Sequence, residues 1–175
     1  MWWMLSVEIR KATKDDATAI AQTHVESWQA AYAEILSAEV MESRNLDFRR
    51  AEWSELFERN DQTERAYVAD FGGEVGGFAF TQPCHDDDVK PEDVAELTAL
   101  YLRPSFFGRG VGTALAQAAL QDLRDAGFSE VILWILEGNA GARRFYERTG
   151  WTWDGTRAPC YRIFDAPALR YRRSL

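Results

Sequence analysis

The chain has 175 residues, of which 46% are hydrophobic and 27% charged, a composition typical of a folded domain. We therefore expect residues 1–175 to form a single domain with a filled core. A net charge of −8 argues against a nucleic-acid-binding protein, which usually carries a basic face, and it favours a cationic partner such as an amine.

The first 59 residues predict a short strand followed by helices. Alternating apolar and polar residues predict a strand at Val7–Arg10, and Thr13 with Asp16 forms a capping-box pattern that begins a helix. Apolar residues at helical spacing run from Ala17 to Ile35, and the helical pattern continues from Ser37 to Arg59.

Three side chains of the first helix fit either a core or a binding site. His24 lies on the apolar stripe, where we expect a buried or half-buried histidine rather than a catalytic one. Trp28 and Tyr32 lie one turn apart, and they are either core residues or one wall of a substrate cleft.

The middle of the chain predicts a hairpin and then a polar loop. Ala66–Phe71 and Glu74–Thr81 predict two strands joined at Gly72-Gly73, with a bulge at Gly76-Gly77. The acidic stretch Gln82–Asp93 is expected to be solvated surface, or else a rim that attracts a cationic substrate.

The next segment has the order strand, glycine-rich turn, helix, strand. The nearly continuous apolar runs Val94–Leu102 and Val131–Leu136 predict two central strands, which a helix at Val111–Ala126 would make parallel. Glycines alternate at Gly108, Gly110 and Gly112, so the backbone can approach a ligand closely.

That turn precedes a helix N-terminus, and the combination predicts an anion site for a phosphate or pyrophosphate. It is not a P-loop, because no Gly-Lys-Ser/Thr follows. It is not the dinucleotide fingerprint either, because Thr113 or Leu115 stands where the third glycine would be.

The C-terminal part predicts one more helix and two strands. Asn139 is expected to cap a short helix that ends at Gly150, and Trp151–Gly155 and Ala168–Arg172 predict the last strands. We expect the basic tail to form a solvated edge strand; its arginines are Arg157, Arg162, Arg170, Arg172 and Arg173.

Two of these stretches resemble the GNAT superfamily of N-acetyltransferases, and the similarity covers about residues 7–173. Phe107–Gly112 corresponds to the family's Gln/Arg-x-x-Gly-x-Gly/Ala loop, with Phe107 at the position where Gln or Arg is usual. Asn139–Trp151 resembles the family's Asn-x-x-Ala…Phe-Tyr…Gly-Phe stretch, which is the more specific of the two.

The resemblance implies an α/β fold of the α+β type: a mixed, mostly antiparallel sheet of about seven strands with flanking helices and one splayed parallel pair. It implies acetyl-CoA as acetyl donor and no metal. The donor's pantetheine arm would pair with the backbone of the strand end, and its pyrophosphate would lie on the glycine turn. The residues implied at the donor are Leu100, Tyr101, Leu102, Gly108, Arg109, Gly110, Val111, Gly112, Thr113 and Asn139.

The resemblance also implies direct attack of an amine on the thioester. Tyr146 matches the usual proton donor to the leaving thiolate, and it lies seven residues, about two helical turns, from Asn139. Glu96 matches a frequent position of the base, with His85 and Asp86 as alternatives.

The expected acceptor is a primary amine, either a small molecule or a peptide or protein amine, with Trp28 and Tyr32 beside it. The alternative is a non-catalytic acyl-CoA-binding sensor or structural module on the same fold. We expect no nucleic-acid or membrane partner, since Met1–Leu5 is too short for a signal or span, and dimers are common in the family. A cytoplasmic location with two unpaired thiols, Cys84 and Cys160, completes the expectation.

Overall fold

The computed structural model describes residues 7–159, 162 and 164–175. Its strands are β1 (Glu8–Lys11), β2 (Arg65–Asp70), β3 (Val75–Pro83), β4 (Val94–Leu102), β5 (Glu130–Leu136), β6 (Thr152–Ala158) and β7 (Ala168–Ser174). Its α-helices are α1 (Ala17–Tyr32), α2 (Ala38–Ser43), α3 (Leu46–Arg59), α4 (Val111–Asp125) and α5 (Ala140–Arg148).

The strands form one sheet in the order β1-β2-β3-β4-β5-β7-β6. Within the described ranges, β4 and β5 are the parallel neighbours and the other pairs are antiparallel. The expected mixed, mostly antiparallel sheet of seven strands is therefore confirmed.

The parallel pair separates soon after it begins. Only Val94–Glu96 of β4 pairs with Glu130–Ile132 of β5, although both strands continue beyond these residues. Opposite β3, the register shifts by one residue at Thr98, which has no partner and forms a β-bulge. The two strands thus enclose an opening, which confirms the splayed pair.

The bulge reverses the alternation of β4, and each face of the sheet receives its own helices. Leu97, before the bulge, and Leu100, after it, both pack into the core beneath α4 and α5. On the opposite face, Ala99 and Tyr101 pack with residues of α1 and α3. The run Val94–Leu102 is therefore covered on both sides, as its apolar sequence predicts.

The glycines of the first hairpin adopt the predicted turn and bulge conformations. Gly72 and Gly73 both adopt positive φ, 74° and 102°, in its turn. The register between β2 and β3 shifts at Gly76, which confirms the bulge. A Cβ at Gly76 would lie 2.7 Å from the Phe71 ring and 2.8 Å from the Phe106 ring, so this close packing requires glycine.

The helical stretch 37–59 is two helices rather than one. Ser37 caps α2, and its hydroxyl accepts the N–H of Val40 at 3.3 Å. Asn45 caps α3 and accepts the N–H of Phe48 at 3.0 Å. The helical stretch is interrupted between them because the Asn45 side chain replaces the backbone acceptor that a continuous helix would use.

The expectation of a solvated basic edge strand is wrong for β7. This strand lies between β5 and β6, and its Arg170 is only 4% exposed. The guanidinium of Arg170 binds Asp86 at 3.0 Å, Asp88 at 2.6 Å and Asp154 at 2.7 Å. The acidic loop and the basic strand neutralise each other, which the pattern of neither segment indicates.

Cys84 is a buried, unpaired thiol, as expected. Cys160 and the segment Met1–Leu5 lie outside the described residues. Of the helices in the described ranges, none is long and apolar enough to cross a membrane.

Candidate active site

A cleft of about 650 Å³ opens on the face of the sheet that carries α1 and α3. Trp28 and Tyr32 line this cleft, yet both are also buried, at 4% and 7% exposure. The pair therefore belongs to the core and also lines a cleft, and its place beside a substrate stays a prediction.

Two tyrosines, Tyr32 and Tyr101, line the cleft, and a third, Tyr146, is buried in the core on the side of α4 and α5. The hydroxyl groups of Tyr32 and Tyr101 lie 3.1 Å apart, and each hydroxyl can donate to the other. Burial raises the pKa of Tyr32, Tyr101 and Tyr146, and the charge of Tyr101 further raises the pKa of Tyr146. All three phenols therefore stay protonated at neutral pH.

Asn139 and Tyr146 lie at the two ends of α5. The Asn139 side-chain oxygen accepts the N–H of Ala142 at 3.1 Å, which confirms it as the helix cap. A hydrogen bond from the Asn139 side chain also moderates the rise of the Tyr32 pKa. Tyr146 is buried against Trp151, with ring centroids 5.6 Å apart.

Glu96 lies at the point where β4 and β5 separate. It is the last β4 residue paired with β5, it is 1% exposed, and its carboxylate lines the cleft. Arg162 binds both carboxylate oxygens, at 2.9 and 2.8 Å. Glu96 is therefore a buried, ion-paired carboxylate rather than a solvent-exposed one at the start of a strand.

The other base candidates differ sharply from Glu96. His85 is exposed, while Asp86 accepts hydrogen bonds from the Trp134 indole at 3.1 Å and from Arg170 at 3.0 Å. Neither residue lines the cleft. The idea that this acidic loop forms a cation-attracting rim is wrong for Asp86 and Asp88, because Arg170 neutralises both.

His24 is buried at the base of the cleft, as its position on the apolar stripe predicts. Its Nδ1 accepts the Trp53 indole N–H at 3.2 Å, so its ring proton lies on Nε2. Burial, and secondarily the charge of Arg49, holds the pKa of His24 well below its usual range. This histidine is neutral at physiological pH.

The glycine turn begins α4 without a side-chain cap. Gly110 is the N-cap with φ 76°, and Gly108 has φ 73°. A Cβ at either position would meet no atom of the described chain within 4 Å, so the turn presents open backbone. The first N–H groups of α4, at Val111, Gly112 and Thr113, have no carbonyl of the preceding turn to bind.

Gly112 differs from the other two glycines of the turn. It is helical, and a Cβ there would lie 3.5 Å from Leu102 and 3.6 Å from Phe145, which is ordinary contact. The exposed Arg109 has its guanidinium 5.6 Å from the Phe106 ring centroid. Phe107 is 59% exposed beside the turn.

The edge of β4 that faces the opening presents particular backbone groups. Arg103 N–H donates to Gly76 on β3 at 2.9 Å, so the alternation of the strand directs Tyr101 toward β3 as well. Leu100 and Leu102 therefore direct their backbone toward the opening. The Leu102 carbonyl there accepts the Ser27 hydroxyl at 2.8 Å.

Sequence reasoning missed Arg49, which lines the cleft and is 4% exposed. Its guanidinium lies 4.3 Å from the Trp28 ring centroid and donates to Glu52 at 2.7 Å. It stands next to the exposed Arg50 in a charged helix. Only the four-residue spacing to the apolar Trp53 on the buried face of α3 could have indicated that Arg49 points inward.

Solved structures with this fold include several acetyltransferases. A PaiA N-acetyltransferase from Thermoplasma acidophilum, in complex with coenzyme A, is 22% identical, with a TM-score of 0.77 over 97% of this chain and 99% of that one. YncA from Salmonella typhimurium, described as a putative acetyltransferase with its cofactor acetyl-CoA, is 20% identical, with a TM-score of 0.73 over 97% and 94%. The fold is thus that of the acetyltransferases.

Sequence comparison identifies the family. The model of the Acetyltransferase (GNAT) family matches residues 22–151. An uncharacterized N-acetyltransferase, YuaI, of Bacillus subtilis is 31% identical over 134 residues, 76% of this chain and 73% of YuaI. A mycothiol acetyltransferase of Geodermatophilus obscurus is 35% identical over 86 residues, 49% of this chain and 28% of that one. The chain belongs to the GNAT acetyltransferase family, and it is an acyltransferase.

Proposed function

We propose that this protein transfers an acetyl group from acetyl-CoA to a primary amine by direct attack of the amine on the thioester. The observation that carries the proposal is the separation of β4 and β5 directly after Glu96. The open edge of β4 leads from this carboxylate to the glycine turn before α4. A candidate base and an anion-binding turn therefore lie at the two ends of one opening.

The residues around the turn fit the donor. Acetyl-CoA, when bound, supplies an activated acetyl thioester, and its pyrophosphate needs hydrogen-bond donors from the protein. The uncapped N–H groups of Val111, Gly112 and Thr113 supply them, helped by the α4 dipole and by the charge of Arg109. Because this contact uses backbone, the exposed Phe107 at the usual Gln or Arg position does not remove it.

The open edge of β4 fits the donor's amide-bearing arm. Leu100 offers its N–H and C=O to this arm, whereas the Leu102 carbonyl is bound by Ser27 and the Leu102 N–H is left for the acetyl oxygen. Tyr101 contributes its side chain rather than its backbone. Asn139 fixes the start of α5 and the position of Tyr32 beside this edge.

The reaction requires a neutral amine, so a base must accept a proton from it. Glu96 is our candidate, directly or through a water molecule, since its carboxylate lines the cleft where the amine would enter. As the C–N bond forms and the C–S bond breaks, the Leu102 N–H donates to the acetyl oxygen. The Tyr146 hydroxyl donates to the departing sulfur.

The acid–base properties of the site support these roles. Burial raises the pKa of Tyr146, so its hydroxyl is a donor at neutral pH and stabilises a thiolate mainly through the hydrogen bond. Burial also raises the pKa of the Cys84 thiol to about 11, which makes this cysteine a poor nucleophile. Direct attack without an acyl-enzyme is therefore the simpler route.

Thiol release from acetyl-CoA over a panel of amines, drugs and peptides tests the proposal. Removing a hydrogen bond to a charged group costs about 1.5–3 kcal/mol, so Tyr146→Phe should lower kcat about 10- to 100-fold. Acetyl-CoA affinity, measured by calorimetry, should not change.

The matched control is Tyr67→Phe, which removes another buried hydroxyl, one that donates to Asp122 far from the opening. It should leave kcat unchanged. Normal turnover in Tyr146→Phe would remove this residue from the mechanism. Tight acetyl-CoA binding with no turnover on any amine would support an acyl-CoA-binding module instead.

A further inference from the structure

The cleft contains a buried guanidinium whose hydrogen bonding is incomplete. Arg49 donates from Nη1 to Glu52 at 2.7 Å. Among the residues that the structure describes, neither Nε nor Nη2 of Arg49 has a hydrogen-bond partner. Burying charged donors without acceptors is costly, and native proteins seldom retain them without a function.

The two unpartnered donors share one edge of the guanidinium plane. Their N–H bonds are parallel, which is the geometry that binds both oxygens of a carboxylate. Arg157 uses this same edge on Glu137, with Nε and Nη2 at 3.2 and 2.8 Å from carboxylate oxygens. Arg49 therefore has an unpartnered edge with carboxylate-binding geometry; both donor atoms are covered by neighbouring side chains, so a carboxylate reaches them only when those side chains move.

Neighbouring side chains fix the orientation of this guanidinium edge, and arginines balance the negative charge of the cleft. The Trp28 ring, 4.3 Å away, fixes the guanidinium plane. Three of the four glutamates that line the cleft are bound by arginines: Glu52 by Arg49, Glu64 by Arg59, and Glu96 by Arg162; the fourth is Glu55. Arg44 lines the cleft too, and its Nε has no partner in the described ranges.

We infer that Arg49 binds a carboxylate of the acceptor, so that the acceptor is a small aminocarboxylic acid rather than a simple cationic amine. The inference rests on the proposed function in taking this cleft as the acceptor site. The aromatic walls, which include Trp28, Trp53 and Tyr101, surround the apolar part of such a molecule. The volume of about 650 Å³ is that of a typical small-molecule pocket.

Matched acceptors test the inference through the KM. The series is phenylalanine, 4-aminobutanoate and 6-aminohexanoate, each compared with its carboxamide, which has the same size and no negative charge. The wild type should prefer the acid, and Arg49→Met should raise its KM about 10- to 100-fold, because a bidentate charged contact is lost. The KM of the carboxamide and kcat should change little.

Arg50→Met is the matched control, since Arg50 is the exposed neighbour and pairs only with the exposed Asp47, at 3.7 Å. It should leave both KM values unchanged. Thermal unfolding without ligand adds a second measurement. Arg49→Met should be at least as stable as the wild type, because the buried unpaired donors are gone; a purely structural Arg49 would show a clear loss of stability.

Ligand-induced thermal stabilisation separates this inference from the proposed function. If the acids raise the melting temperature of the wild type but not of Arg49→Met, the carboxylate contact is supported even where no turnover occurs. Equal effects of acid and carboxamide on the wild type would overturn the inference while leaving acetyl transfer intact. Preference for peptides without a free carboxylate would also overturn it.

Discussion

Replacing Arg170 by methionine should both destabilise the fold and disturb the cleft. The side chain is 4% exposed and joins the loop that contains Asp86 and Asp88 to Asp154 on β6. Asp86 in turn accepts the indole N–H of Trp134, which lines the cleft. Methionine fills similar space but offers no donors, so three carboxylates lose a partner.

The size of the effect follows from what each carboxylate retains. Removing one partner of a buried ion pair costs about 3–5 kcal/mol. Asp88 is 58% exposed and can be rehydrated, and Asp154 keeps Arg172 at 2.6 Å. We therefore expect a loss of about 3 kcal/mol, or a fall in Tm of roughly 6–12 °C for a chain of this size.

The same network predicts a dependence on acid. Burial alone would raise the pKa of Asp154, but hydrogen bonds, led by Arg172 and including Arg170, lower it to about 2. A carboxyl with a lowered folded pKa stabilises the protein above its unfolded pKa, and this stabilisation disappears as the pH falls toward the folded value. For Asp154 it amounts to about 1–2 kcal/mol after allowance for solvent screening, and it is lost between about pH 4 and pH 2.

Urea unfolding of the wild type and Arg170→Met at pH 7 and at steps down to pH 2 measures both effects. The variant should be less stable at pH 7, and the gap should narrow in acid as the aspartates are protonated. Arg157→Met is the control, because its pair with Glu137 is exposed to solvent and should contribute little to stability. Equal losses for the two variants, or a gap that does not depend on pH, would refute the reasoning.

Two further predictions concern α4 and α5. Gly110 and Gly127 lie at opposite ends of α4 with φ values of 76° and 92°. Alanine at either position introduces the same backbone strain, and its Cβ meets no atom of the described chain. Both should cost about 1–2 kcal/mol, but calorimetry should find weaker coenzyme A binding only for Gly110→Ala; equal binding would contradict the donor site. Asn139→Ala should lose about 1 kcal/mol of stability with the helix cap, and Asn139→Asp should restore it. Thermal unfolding checks this, and a failure of Asp to restore stability would show that the cap is not the cause.

The sequence predicted best those parts of the fold that local chemistry determines. The strand Val94–Leu102 has the predicted bounds, because a run of apolar residues between an acidic loop and Pro104 can hardly form anything else. The helix at Val111 begins after a glycine and ends before Gly127, as expected. Asn139 is a cap because its amide reaches a neighbour three residues along.

What the sequence could not predict depends on residues far apart in the chain. Arg170 and Asp88 are 82 residues apart, and the pattern of neither segment indicates the other. Glu96 is buried, and it pairs with Arg162, 66 residues away. The burial of Arg49 could not be predicted for a local reason, since a charged residue in a polar helix is ordinarily solvated. The roles of the implied site residues remain predictions.

The unpaired residue Thr98 determines which groups can meet in the cleft. On a regular strand, residues five apart face opposite sides, yet Glu96 and Tyr101 both line the cleft. The bulge therefore reverses the alternation of side chains within one strand. It brings the Glu96 carboxylate and the Tyr101 phenol to the same face of the sheet, and Leu97 and Leu100 to the other. If Thr98 were instead paired with β3 as a regular strand residue, the Glu96 carboxylate would face the apolar core under α4. The bulge in β4 is thus as much a part of the site as any side chain on that strand.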